Sequence, residues 1–436
     1  MRRLPLSKRL SILAALLFLV LPFLATCASG TATQPTNTPP QVSQATQTSS
    51  PTPSLEPTIE PTTTPSPVPP KPTSDAVVTG ALKTPRLEFG IVSHLYYTDR
   101  ERVMQLTQNA DFDWVRQQVV WKDTEGPAGH FSWDELDPIV EVVNKYNRKL
   151  LISIVQSPSF YTDDGSHGLP ADPASLGNFV ELIANRYGNQ IAAYEIWNEQ
   201  NLAHETGGHI ELSDAGHYVE ILAECYKRIK AVTPEAYVLV GAPSSSGVTN
   251  PSIAIADQDY YHAMYSYKDG MIKDYFDVQA AHPGAAANPP ETLWPENPST
   301  AEGWNDHETF YFRHIENVRK IMEEYGLGDR QIWLTEFGWA TENVTPGYEY
   351  GNNVSFEQQA EYIAGAIELS YENYPWLGVM FLWNMNFSVL WGQTDPPQPL
   401  HEQAAFSILN QDWSPRPSYL AVQSLIDRIK RDQGVK

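Results

Sequence analysis

Residues 191–201 read IAAYEIWNEQN. The apolar run from Ile191 to Trp197 is broken only by Glu195, and it ends in four polar residues, Asn198 to Asn201. A run this short and this apolar predicts a strand buried on both faces, as in a parallel sheet covered by helices. Its polar end marks the edge of the sheet, where side chains can meet a ligand.

Working outward, runs of the same kind recur through the chain, predicting strands over 87–92, 114–119, 149–155, 191–197, 237–241, 276–281, 331–337 and 377–384. Between them lie stretches with three-to-four-residue apolar spacing, among them 133–146, 176–187, 218–232, 311–325, 356–371 and 418–429, with Gly188, Pro234 and Gly326 at junctions. Strands that alternate with helices eight times predict a (β/α)8 barrel over residues 82–432. A doubly wound open sheet is the rival, but no GxGxxG loop follows the first strand.

The N-terminal part reads differently. Arg2, Arg3, Lys8 and Arg9 precede an apolar run from Leu10 to Leu24, then small residues and Cys27. That order predicts an export signal over residues 1–29 and a mature protein outside the cytoplasm, extracellular or at the cell surface. The stretch Leu24-Ala25-Thr26-Cys27 is similar to a bacterial lipobox, which implies a lipid anchor on Cys27; cleavage without lipidation is the alternative. Residues 30–75 are Pro, Thr, Ser and Gln with few large apolar side chains, a composition that predicts a disordered stalk. The other cysteine, Cys225, then lacks a partner and reads as a small apolar core residue.

The 436-residue chain has a formal net charge of −23, which disfavours nucleic acid as a partner. The stretch His204-Glu205-Thr206-Gly207-Gly208-His209 lacks the HExxH spacing, so it reads as a substrate loop and no metal or other cofactor is expected.

In a (β/α)8 barrel, functional side chains stand at the C-terminal ends of the strands. Two predicted strands end in a carboxylate there: the fourth in Trp197-Asn198-Glu199-Gln200-Asn201, the seventh in Thr335-Glu336-Phe337-Gly338-Trp339. An Asn-Glu pair after strand four with a Glu after strand seven resembles the signature of clan A glycoside hydrolases. The motifs are most like those of family 39, with family 5 nearly as similar. The resemblance implies a retaining hydrolase of polysaccharide or oligosaccharide, with Glu199 as general acid/base and Glu336 as nucleophile. It implies that Arg116, a cation inside an apolar strand, holds Glu336 ionised, that Asn198 binds the sugar 2-hydroxyl, and that His282 stands near the nucleophile. Gly284 occupies a position where relatives often carry tyrosine. Trp383, at the end of strand eight, would floor the subsite at the cleavage point. His94 and Gln156 follow strands one and three and are further mouth candidates, as are the loop tryptophans Trp121, Trp294, Trp304, Trp339 and Trp391.

Glu199 has to keep its proton at working pH, and repulsion from Glu336 is the expected cause. Two other readings use the same barrel: an inactive glycan-binding protein and a transglycosidase.

Overall fold

Eight parallel strands pair in chain order and the eighth closes on the first. They are β1 Glu88–Val92, β2 Trp114–Val120, β3 Lys149–Val155, β4 Ala193–Ile196, β5 Tyr237–Val240, β6 Val278–Ala281, β7 Gln331–Phe337 and β8 Leu377–Leu382. The computed structural model describes residues 81–301 and 304–435. The expected export signal, the stalk and Cys27 lie outside the described residues. The closed order excludes the doubly wound sheet.

Each strand is followed by a helix of ten residues or more: Arg100–Asn109, Leu136–Lys145, Pro173–Tyr187, Asp214–Val232, Asp257–Ser266, Ile315–Glu324, Phe356–Asn373 and Pro417–Asp432. Local chemistry sets several starts. Asp172 accepts from the Ala174 N–H ahead of Pro173, and Ser355 and Gln358 form a reciprocal capping box. The sequence pattern singles out six of the eight. Arg100–Asn109 buries only Val103, Met104 and Thr107, a stripe too narrow to read by periodicity, and Asp257–Ser266 buries mostly tyrosines.

The barrel interior is layered. Near its N-terminal end Trp333 packs against Trp114 at 5.0 Å and Tyr237 at 4.9 Å between ring centres, closing the floor. Glu88 accepts from Trp114 Nε1 at 2.6 Å and from Lys149 at 2.7 Å, so the carboxylate in this floor is paired. One layer up, Arg116 and Glu195 replace apolar side chains. Outside the barrel, a continuous apolar layer joins strands to helices and includes the buried, unpaired Cys225.

Candidate active site

The chain leaves β4 at Ile196 and turns sharply, with positive φ at Trp197 (69°) and Glu199 (48°). Its neighbours pin the turn. Glu199 N–H donates to the Ala242 carbonyl at 2.9 Å, Gln200 to the Gly241 carbonyl at 2.7 Å, and Asn201 to the carbonyls of Ser244 and Ile255 at 2.9 Å each. A Cβ on Gly241 would stand 2.6 Å from the Ile196 carbonyl oxygen, so the two strand ends approach as closely as they do only because residue 241 is glycine. Asn198 and Glu199 are thereby held over the barrel mouth.

Glu336 arrives by another device. Side chains on a strand alternate between faces, so Thr335 and Glu336 should point to opposite sides. The pairing of β7 with β8 shifts between Leu334 and Phe337: three residues of β7 span two of β8. That irregularity lets both serve the interior, as bulges beside active sites do. Thr335 Oγ1 lies 3.0 Å from His282 Nε2, and Glu336 accepts from Arg116.

Arg116 is 1 % exposed and joins three partners at 2.7 Å each: Nε donates to Glu195, one terminal nitrogen to Glu336 and the other to Asn198 Oδ1. Burial alone would lower its pKa, but the Glu195 and Glu336 carboxylates outweigh burial and raise it. Arg116 does meet Glu336, and it divides its charge with Glu195. The strand's alternation brings Glu195 inside the barrel with Arg116. Because the Asn198 oxygen is taken by Arg116, the amide nitrogen remains to face the cleft.

His282 follows β6. Its Nδ1 lies 3.1 Å from Glu199 Oε1, and its charge also acts on Glu336. The expected origin of the Glu199 pKa also needs correction. Burial pushes this carboxyl up, but the hydrogen bond and charge of His282 outweigh burial and the net direction is down. Glu336 is raised, first by burial, with His282 and Arg116 opposing and Glu199 adding. His282 is itself raised, because the charges of Glu336 and Glu199 exceed its burial cost. A proton on the Glu199–His282 hydrogen bond belongs to the pair.

Gly284 is explained by close packing: a Cβ there would stand 2.0 Å from the Thr309 carbonyl oxygen, leaving no room for tyrosine. Tyr348, on the loop after β7, lines the cavity with Glu336 instead, and burial first, then its neighbours Tyr350 and Glu402, push its phenol well up. Two cavities flank the carboxylates, of about 230 and 200 Å³. The first is lined by His94, Tyr96, Tyr97, Glu135 and Phe387, the second by Ser245, Trp304, Phe310 and Tyr348. Glu199, Glu336, Trp383 and Gln403 border both. His94 is buried, and burial pushes its pKa down to about 4, so it is neutral in the cleft wall. Gln156 borders neither cavity; its backbone carbonyl accepts from Lys122 N–H at 3.0 Å. Of the five loop tryptophans only Trp304 lines the cleft. Trp121, Trp339 and Trp391 are core, and Trp294 is exposed elsewhere.

Glu199, His204 and Glu205 bring one oxygen or nitrogen each within 4.8 Å of one another. We do not read them as ligands of a cation, since a metal there would tie up the Glu199 carboxyl that faces the cleft.

A family model described as Cellulase (glycosyl hydrolase family 5) matches residues 81–364. No curated protein matches the sequence. Among solved structures, a family 39 glycoside hydrolase from the gut symbiont Bacteroides cellulosilyticus superposes with a TM-score of 0.59 at 20 % identity, over 79 % of this chain and 64 % of that one. The chain thus spans just under two thirds of that enzyme's length. A glucosidase from Croceicoccus marinus gives 0.55 at 13 % identity, over 80 % and 69 % of the two chains. An exo-β-1,4-mannosidase from an Opitutaceae bacterium gives 0.52 at 12 % identity, over 81 % and 62 %. At these identities the likeness is one of fold.

Proposed function

The chain belongs to glycosyl hydrolase family 5, the cellulase family, and on that premise we propose that it is a retaining glycosidase acting by double displacement on a polysaccharide. The observation that carries this reading is that Glu199 and Glu336 border the same two cavities, each with a separate charge partner behind it: His282 for Glu199 and Arg116 for Glu336. A glycan-binding protein has no need of two partly buried carboxylates poised in this way.

In the first step Glu336 attacks the anomeric carbon while Glu199 protonates the departing oxygen; the C–O bond to the leaving group breaks as the glycosyl-enzyme ester forms. Arg116 stabilises the ionised nucleophile. The free Asn198 amide supports a hydrogen bond to a sugar hydroxyl, a contact that strengthens as the oxocarbenium-like transition state forms. Once Glu336 is esterified, one of the two charges that raised His282 is gone. Glu199, now a carboxylate, accepts a proton from the incoming water as its oxygen attacks the anomeric carbon, and the ester bond to Glu336 breaks to release the sugar.

Cavities on both sides of the carboxylates favour a chain bound across the centre and cut internally. Trp383 at their junction offers an aromatic face to the ring at the cleavage point. The test is a panel of β-glucans, mannans and xylans, with products sized chromatographically and the first-formed anomer read by proton NMR. Internal cleavage with a retained β-anomer is expected. An inverted first product would overturn the double displacement, and products longer than the substrate would favour transglycosylation.

We also read residues 1–29 as an export signal that leaves Cys27 available for lipidation. Metabolic labelling with a fatty acid should mark the protein, and Cys27→Ser should abolish the label. Retention of the unlabelled precursor in the cytoplasm would refute export.

A further inference from the structure

Glu199 has a second acidic neighbour that the resemblance does not mention. Glu205 lies six residues further on, in the tight turn Ala203–Thr206. The turn is fixed to the acid: Leu202 N–H donates to the Glu199 carbonyl at 2.9 Å, Glu205 N–H to the Leu202 carbonyl at 3.2 Å, and Trp197 Nε1 to the Glu205 carbonyl at 3.1 Å. The Glu205 side chain is 6 % exposed, and His204 Nε2 stands 3.6 Å away, outside hydrogen-bond distance, on an imidazole that burial pushes toward its neutral form. A carboxylate oxygen of Glu205 lies within 4.8 Å of one on Glu199. An ionised carboxylate here would stand largely buried against another anion.

We propose that Glu199 and Glu205 form a carboxyl dyad that keeps one proton between them across the neutral range, with Glu205 acting as a positioning residue that stores the proton Glu199 delivers.

The surroundings agree from every side. On its own loop Glu205 faces Glu199 and His204. From β7 it feels Glu336, which adds to the repulsion. The cations are Arg116 on β2, already bonded to Glu195 and Glu336, and Lys122 in the helical turn Trp121–Thr124. Burial first, then the charges of Glu199 and Glu336, raise the Glu205 pKa well above the usual carboxylate range. His282, on the far side of Glu199, pulls that carboxyl down. The proton therefore rests on Glu205 while Glu199 is an anion. A transfer across the gap through one bridging water converts Glu205–COOH and Glu199–COO⁻ into Glu205–COO⁻ and Glu199–COOH. Glu199 gives that proton to the glycosidic oxygen. In the second step the proton taken from water returns by the same path, so the dyad ends each cycle as it began.

This inference rests on the acid role of Glu199, but its test does not. In the full chain labelled with ¹³Cδ-glutamate, wild type should show a glutamate resonance that titrates at or above neutral pH. In Glu205→Gln that resonance should vanish, and Glu199, identified by its loss in Glu199→Gln, should titrate lower. An unchanged late-titrating resonance in Glu205→Gln, or none in wild type, overturns the dyad whatever the enzyme cleaves. On an aryl β-cellobioside, Glu205→Gln should bring the basic limb of kcat/KM down by about one pH unit, while Glu205→Asp should restore it. A uniform loss at every pH with an unmoved limb would mean that Glu205 only shapes the loop, and would also overturn the proposal. Failure of wild type on this substrate would bear on the proposed function and leave the NMR result decisive for the dyad.

Discussion

His282 Nδ1 lies 3.1 Å from Glu199 Oε1. Its other ring nitrogen is anchored at 3.0 Å to Thr335 Oγ1, on the strand that carries Glu336. The imidazole thus ties Glu199 to that strand, and its hydrogen bond and charge turn the upward effect of burial on Glu199 into a net downward one. Replacing it by a neutral side chain of similar reach, His282→Gln, removes that charge and lets burial dominate. Glu199 should then hold its proton to higher pH. The acid step tolerates this, but the second step needs Glu199 ionised, so the acidic limb of kcat should move to higher pH, with a loss of about 10- to 100-fold at neutral pH. A pH–rate series on an aryl glycoside reads this directly, and an unmoved limb would rule out His282 as the group that sets Glu199.

The assignment of the two glutamates makes opposite demands on leaving groups. Glu336→Gln should lower turnover by about 10⁴-fold or more on every substrate while the melting temperature stays near that of wild type. Glu199→Ala should spare substrates with good leaving groups in the first step, and azide should rescue it by forming a β-glycosyl azide. Near-normal turnover by Glu336→Gln, or an α-glycosyl azide from Glu199→Ala, would reverse or remove these roles.

Arg116 sits between Glu195 and Glu336, both at 2.7 Å, with almost no solvent contact. Arg116→Met strands two carboxylates in the barrel and should cost about 3–5 kcal/mol of stability, read by urea unfolding. Adding Glu195→Gln removes one of the stranded charges and should recover part of that loss. Activity should not recover, because Glu336 still lacks its donor. If the double variant were no more stable than the single one, the buried pair would not be the source of the cost.

The barrel was legible because its strands are buried on both faces, and continuous apolar runs such as KLLISIV leave few other readings. Glu199 and Glu336 were legible because a polar residue that ends such a run has only the mouth to face. What surrounds them was less so. Glu195 carried the same signal as Arg116, a lone charge in an apolar strand, and opposite charges on nearby strands could have been paired on that ground. The joint inward aim of Thr335 and Glu336 depends on a pairing shift between β7 and β8 that leaves no mark in composition. Glu205 and Tyr348 lie on loops, where neither periodicity nor burial can be read from sequence. The tryptophans misled in the other direction, since Trp121, Trp339 and Trp391 stand in predicted loops yet are core.

His94 ties stability to pH independently of catalysis. It is 6 % exposed, and burial pushes its pKa from 6.5 down to about 4. Between those values the unfolded chain binds a proton that the folded chain does not, so stability rises with pH across this window and is lost as pH falls from about 6.5 toward 4. The loss attributable to this one group is about 3 kcal/mol. His94→Gln removes the titration, so the difference in unfolding free energy between variant and wild type should change across that window and be flat above it. Urea unfolding at half-unit pH steps gives the comparison. A difference that stays constant from pH 4 to 7 would mean that His94 is protonated equally in both states and is not the neutral wall residue described here.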